Sequence, residues 1–379
     1  MSPHSDSPSQ DNSSRVPTGP LDVGPDCWMV GHRNPEALLQ CNTYVRTLDT
    51  NRSSYHVCVD PGSRLDFPVV EANIGELVGD ISEIDRFTVN HQDPDVTGNC
   101  PFFCLANPKI KMIATEETWR LLQHLRFTPG RIHLANVAAK TRFSIAAGHD
   151  WQVVPTPFCH FRGAMAFYDP EIRTLFSGDL FGGFNRLGGV HLIATEEDWS
   201  GIAQFHEIYM PTREVLRYAV QQIRQLRPTV ETIAPQHGHV ITGDLVSIFL
   251  ERMYDLRVGH DLLADTHDEE KLAGYQEVLA QIVERAELSL GRAEVLRRLK
   301  NTNIDDDLAQ FIAFEGQTIV LLRDGYRAVT RVTSRLGHGE RLQFVVGLRS
   351  VVLSACTERD LPIPPVGAGI EAEATGNME

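Results

Sequence analysis

The run Ile84-Asp85-Arg86-Phe87-Thr88-Val89 reads as a β-strand, and it stops on Asn90-His91-Gln92-Asp93-Pro94-Asp95-Val96. An imidazole and two carboxylates crowd into five positions at a strand end, where stability asks for none of them. Alone the pattern is weak, because loop histidines are usually just hydrogen-bonded and aspartates flanking a proline are common in turns. But the pattern recurs. Trp151–Pro155 leads into Thr156-Pro157-Phe158-Cys159-His160. Thr174–Ser177 leads to Gly178-Asp179, and Thr232–Ala234 leads to Pro235-Gln236-His237-Gly238-His239. Four strand ends each deliver a His or Asp to a loop, and strand ends along one sheet edge can converge. Three imidazoles and three carboxylates gathered there would suit two metal ions, with one carboxylate shared.

The remaining strand signals are Cys27–Gly31, Cys41–Leu48, Tyr55–Asp60, Lys109–Ala114, Phe143–Ala147 and Ala164–Tyr168, short β-branched or aromatic runs bounded by turn residues. Helices are expected near 68–78, from the Thr115 cap to about Leu125, over 211–226 and over 242–257. The order is β-rich, α, β-rich, α, which suggests two sheet layers flanked by helices. Beyond residue 262 the pattern changes. Leu272, Tyr275, Leu279, Ile282 and Ala286 form a helical stripe. Thr318–Leu322 and Arg327–Val332 flank Arg323-Asp324-Gly325-Tyr326, a hairpin signal, and Leu342–Leu353 reads as a further β-like run.

The domain expectation is a tail over 1–26, a metal-binding domain over 27–262, an extension over 263–361 and a second tail over 362–379. Residues 1–26 are rich in Ser, Pro, Asp and Gly without the basic-then-apolar order of a signal peptide, so disorder is expected there. Seven cysteines, an odd and scattered set, favour a reducing, cytoplasmic setting. A net charge of −15 argues against nucleic acid and anionic membrane as partners. No apolar run approaches the length of a membrane span.

The series His-x-Asp-x-Asp, His, Ser-Gly-Asp, Pro-Gln-His-Gly, in this order and spacing, resembles the metallo-β-lactamase superfamily over about residues 27–258. The resemblance implies an α/β fold, an αββα sandwich with a dinuclear site at one sheet edge, here followed by a small α+β extension. Its hydrolytic members usually carry His where this chain has Asp93 and Val96. A carboxylate at the position of Asp93 resembles the diiron branch, the flavodiiron proteins and their oxygen-binding relatives. Asn90, Thr97-Gly98-Asn99, Ser177–Gly182 and Phe205–Met210 also look like that branch, although Asp93 is one methylene shorter than the Glu more usual there. Carried over, His91, Asp93 and His160 would hold one metal, Asp95 and His237 the other, and Asp179 would bridge. Val96 leaves the second metal short of a protein ligand, with room for water or dioxygen.

This donor set is hard and oxygen-rich, without a thiolate, and suits two iron ions or manganese, while zinc is also possible. Two functions follow. One is a diiron protein that binds dioxygen, reducing it or nitric oxide with electrons from a separate donor, or serving as an oxygen sensor. No flavodoxin-like phosphate loop, and so no FMN site, is seen in this chain. The other is a metal-dependent hydrolase of an ester, thioester or lactone. Members of the branch are often homodimers. Tyr209 is read either as a hydrogen-bond donor to dioxygen over the metals or as a core tyrosine. His239 is read as exposed or as a residue that supports the His237 ligand, and His32, His149, His191 and His206 as structural. Cys100 and Cys104 are read as a redox pair or as two buried small residues on a helix.

Overall fold

The computed structural model describes residues 17–50, 53–135, 142–185, 189–265, 271–300 and 308–366. The chain divides into two compact units, Met1–Leu256 and Arg257–Glu379.

The first unit begins with a seven-stranded sheet: β1 (Leu21–Gly24), β2 (Cys27–Met29), β3 (Tyr44–Asp49), β4 (Ser54–Val59), β5 (Ile84–Thr88), β6 (Lys111–Thr115) and β7 (Arg131–Ala135), neighbours in that order. The pairings β1 to β4 are antiparallel and β4 to β7 parallel. The second sheet runs backwards in space from β13 (Ile241–Thr242) through β12 (Thr232–Pro235), β11 (Thr174–Gly178), β10 (Met165–Asp169) and β9 (His149–Pro155) to β8 (Arg142–Ala146).

Side chains alternate across each strand, and the two resulting faces build two cores. Tyr44, Leu48, Val57, Val59 and Ile113 meet Trp151, Val153, Phe167 and Phe176 between the sheets. Val45, Cys58, Phe87, Met112 and Ala114 point the other way, against α1 (Phe67–Val78), α3 (Cys100–Ala106) and α4 (Glu116–Leu122). Both faces are covered, so these strands read as nearly continuous apolar runs. On the second sheet, α6 (Arg213–Arg224) and α7 (Asp244–Asp255) pack on each other and against β9 and β13. The expected αββα sandwich is the observed architecture.

The chain's start differs from the expectation of a disordered tail to residue 26. Leu21 pairs with Met29 and Asp22 with Trp28, because β1 extends the sheet by one more antiparallel strand. Cys41 is not in a strand, as β3 starts at Tyr44.

The second unit holds α8 (His260–Asp265), α9 (Leu272–Leu290), α10 (Arg292–Leu299), the hairpin β14 (Ile312–Glu315) and β15 (Thr318–Leu321), α11 (Gly325–Gly337) and α12 (Leu342–Thr357). The predicted stripe on α9 is buried with α11 and α12 in a separate core. Two predictions fail here. Arg323–Tyr326 is no hairpin turn: Asp324 caps α11, its side chain accepting from the Arg327 N–H. Residues 342–353 are helical, with Val345, Leu348, Val352, Ala355 and Cys356 buried at three- and four-residue intervals. Their β-branched composition yielded to a buried helical face.

Candidate metal centre

Each metal-candidate side chain leaves the C-terminal end of a strand. β5 ends at Thr88, and the chain turns through Asn90 and His91 into a single helical turn, α2 (Pro94–Thr97). Asp93 occupies the N-cap position of α2, yet its carboxylate makes no cap bond. Instead Gln92 Nε2 donates to Asp93 Oδ1 at 2.7 Å, which aims Oδ2 at the histidines. β9 leads to His160, β11 to Asp179 and β12 to His237. The motif glycines are required locally. Gly178 has φ +62° with the Asn90 side chain against it, and Gly238 has φ +78° against the Gly183 backbone.

The structure brings all six predicted candidates together. Asp179 lies at the centre, and its two oxygens face different partners. Oδ2 is 3.5 Å from His91 Nε2 and 3.2 Å from His160 Nε2, while Oδ1 is 3.5 Å from His237 Nε2. Asp93 Oδ2 lies 3.0 Å from His160 Nε2 and 3.7 Å from His91 Nε2. Asp95 Oδ2 is 3.3 Å from His237 Nε2. His91, Asp179 and His237 are each at most 3% exposed. His237 Nδ1 donates to the Gln40 carbonyl at 2.8 Å, which fixes the ring so that Nε2 faces the carboxylates.

Burial opposes charge on the buried histidines, but the carboxylates outweigh it. Against desolvation, Asp179 and Asp93 lift His91 to about 9, and Asp179 and Asp95 hold His237 well above the ordinary imidazole range. Burial likewise works against ionised Asp179, yet His91, His237 and His160 bring it down to about 2. The carboxylates that hold these rings protonated would attract metal cations in the same way, a metal taking the place of the ring protons. Asp179 Oδ1 is buried and has no hydrogen-bond partner, as a bridging oxygen awaiting a metal would be. Donor types, spacing and this orphaned oxygen fit a dinuclear metal centre.

Three features were missed in the sequence. Cys41 Sγ, an Asp95 carboxylate oxygen and a ring nitrogen of His237 lie within 4.8 Å of one another. Cys41 had been assigned to a strand, which hid its place in a loop beside two of the expected ligands. Val96 is fully buried in the apolar core that it shares with Cys100 and Phe103 of α3. Asp60, at the end of β4, accepts from the Asn90 N–H at 2.9 Å, and burial raises it to about 7. Its position at a predicted strand end was the available signal.

Tyr209, on α5 (Trp199–Tyr209), is 42% exposed, so it is no core tyrosine. Its ring lies 5.9 Å from that of His160 and 4.7 Å from that of Phe205, at the rim of the centre. His206 is fully buried and structural, donating from Nδ1 to the Ile202 carbonyl and accepting the Phe181 N–H on Nε2. Burial lowers it to about 4, so it is neutral.

His239 was expected to be exposed but is only 6% so. It stacks on His191 with centroids 3.9 Å apart and planes 6° from parallel, beside Arg33 and Asp198. Parallel imidazoles cannot both aim in-plane lone pairs at one ion, so this cluster reads as a brace for the 237–239 loop. Cys100 and Cys104 are free, buried thiols in the core of α3, as the blander expectation had it.

A two-sheet αββα sandwich with His and Asp side chains converging at its strand ends defines a protein of the metallo-β-lactamase fold. The sequence model described as "ODP family beta lactamase" matches residues 39–238, and the chain belongs to that family. Diflavin flavoprotein A 1 of Synechocystis is 25% identical over 231 residues, 54% of this chain and 39% of that protein. The chain spans about half the length, or less, of the curated relatives it matches. Among solved structures, a peroxy diiron species of the chemotaxis sensor ODP is similar over 65% of this chain and 98% of its own, with 22% identity and a TM-score of 0.53. The rubredoxin:oxygen oxidoreductase of Desulfovibrio gigas is similar over 70% of this chain and 69% of its own, with 13% identity and a TM-score of 0.56.

Proposed function

We propose that this chain is a non-haem diiron protein that binds dioxygen. His91, Asp93 and His160 hold one iron, Asp95 and His237 the other, and Asp179 is shared. The observation that carries this reading is the division of Asp179, with Oδ2 toward His91 and His160 and Oδ1 toward His237. Relatives named as a diiron sensor and as an oxygen oxidoreductase support the choice of metal and gas. Two irons here would supply the binding of dioxygen and the electrons for its reduction, chemistry that also serves nitric oxide.

The protein's part is positioning. The Gln40 carbonyl sets the His237 tautomer, and Gln92 orients Asp93. Phe205 and Phe184 with Tyr209 form an aromatic wall beside His160 and His237. Tyr209, whose ring lies 5.9 Å from that of His160, would offer its hydroxyl to a bound gas. Electrons come from a separate donor, or the centre turns over slowly and acts as a sensor whose output is the Arg257–Glu379 unit. All seven cysteines are free, which suits a reducing compartment such as the cytoplasm. Among the described residues no helix is long and apolar enough to cross a membrane.

The test is elemental analysis of anaerobically purified protein, followed by an absorption spectrum of the reduced form on exposure to air. About two irons per chain and a new visible band are expected. Two zincs with no spectral change, and hydrolysis of an ester or lactone, would replace this reading with the hydrolase.

A further inference from the structure

We propose that Cys41 is a metal ligand of this centre, supplying a thiolate to the ion held by Asp95 and His237. The inference rests on the dinuclear reading and adds to it the donor that Val96 does not provide.

Four observations converge. First, Cys41 Sγ shares one cluster with an Asp95 oxygen and a His237 ring nitrogen, all within 4.8 Å. Metal–ligand bonds of about 2.0–2.3 Å put donors of one ion within roughly 4.6 Å of each other, so a small closing of this cluster would bring the three donors around a single ion.

Second, the backbone that carries Cys41 is fastened to the His237 loop on both sides. The Gln40 carbonyl accepts from His237 Nδ1, and the Asn42 N–H donates to the Gln236 carbonyl at 2.6 Å. The Asn42 side chain donates to the Pro235 and Gly238 carbonyls at 2.9 and 3.1 Å, and Tyr44 donates to the Pro235 carbonyl at 2.7 Å. The thiol is thus held in register with His237 by five hydrogen bonds.

Third, the buried Asp179 Oδ1, 3.5 Å from His237 Nε2, has no hydrogen-bond partner and faces the same half of the centre. Fourth, Cys41 is only 9% exposed, so its sulfur is shielded from bulk solvent.

Ligation proceeds by loss of the thiol proton to solvent as the metal binds, with no change in oxidation state. The consequence is asymmetry. The His91–Asp93–His160 ion sits among nitrogen and oxygen donors only. Its neighbour gains one soft, electron-donating sulfur, which favours retention of the more thiophilic ion at that position.

The test uses the full chain, metal-free and anaerobic, titrated with Co(II), with the Cys41→Ser and Cys41→Ala variants alongside. Wild type is expected to take two cobalt ions and to show an intense near-ultraviolet thiolate-to-cobalt band. That band is absent from both variants, and one of their two ions binds at least about tenfold more weakly. Iron K-edge absorption fine structure on wild-type protein, which needs no variant, is expected to show a sulfur scatterer in the first coordination sphere. Two bound ions without a thiolate band or sulfur scatterer, or a band that persists in Cys41→Ser, would overturn the inference and leave the dinuclear centre standing. Failure of wild type to hold two ions of either metal would sink the dinuclear reading and this inference with it.

Discussion

Asp179 is the residue on which both halves of the proposed centre depend. Replacing it with Asn keeps its size but removes the charge that faces three imidazoles. Asp179→Asn is expected to lose both metals, whereas Asp95→Asn keeps about one per chain, since His91, Asp93 and His160 stay intact. Metal stoichiometry after gel filtration decides this; equal losses in the two variants would contradict the split. The histidines give a pH prediction with a definite sign. In metal-free protein His91 titrates near 9 and His237 also above its ordinary value, so their ion pairs stabilise the fold fully below about 6.5 and are lost as pH rises through about 9. Metal-free protein should therefore lose thermal stability between pH 7 and 9.5, and metal-loaded protein much less so. Loading at pH 7 should also release protons into a weak buffer. A flat metal-free profile over that range would contradict the ion pairing. The candidate ligands His91, Asp93, Asp95, His160, Asp179 and His237 were readable because each follows a strand in a compact motif. Cys41 was not, because a single cysteine inside an apolar run carries no spacing signal. Its proposed role rests on hydrogen bonds between its chain neighbours and the distant 235–238 loop.

Strand and helix elements in the sandwich were legible where one physical cause dominated. β5, β6, β9, β10, β11 and β12 were recognised by apolar runs bounded by turn residues, and α4 by its Thr115 cap and early acids. β7, at the sheet edge with three of its five residues exposed, gave no such pattern. α11 and α12 were misread because Val and Thr suit strands, and only their packing on α9 reveals the helical period. The sheets are also joined by charge. Arg46 on β3 meets Asp169 at the end of β10 at 3.0 Å, with both side chains nearly fully buried. Removing one partner strands a charge inside the sandwich, so Arg46→Met alone should cost about 3–5 kcal/mol, while Arg46→Met with Asp169→Leu recovers most of it. Urea unfolding of the two variants separates these outcomes; equal losses would mean the pair is not coupled.

At the scale of the molecule, two units with separate cores should unfold as separate transitions. Metal ions that bind only the folded first unit stabilise that unit alone, by about 3 kcal/mol per ion at a hundredfold excess over Kd, and so raise its midpoint. Calorimetry with and without chelator should move one transition and leave the other in place. The proposed ligands are also shared between layers: His91, Asp93 and Asp95 follow a strand of one sheet, while His160, Asp179 and His237 follow strands of the other. Where they meet, the Met165 N–H donates to the Asn90 carbonyl at 3.1 Å, and the Asn90 side chain donates to the Phe176 carbonyl. The proposed metals would then be rivets through a seam, and amide exchange at Met165 should be slower in metal-loaded than in metal-free protein.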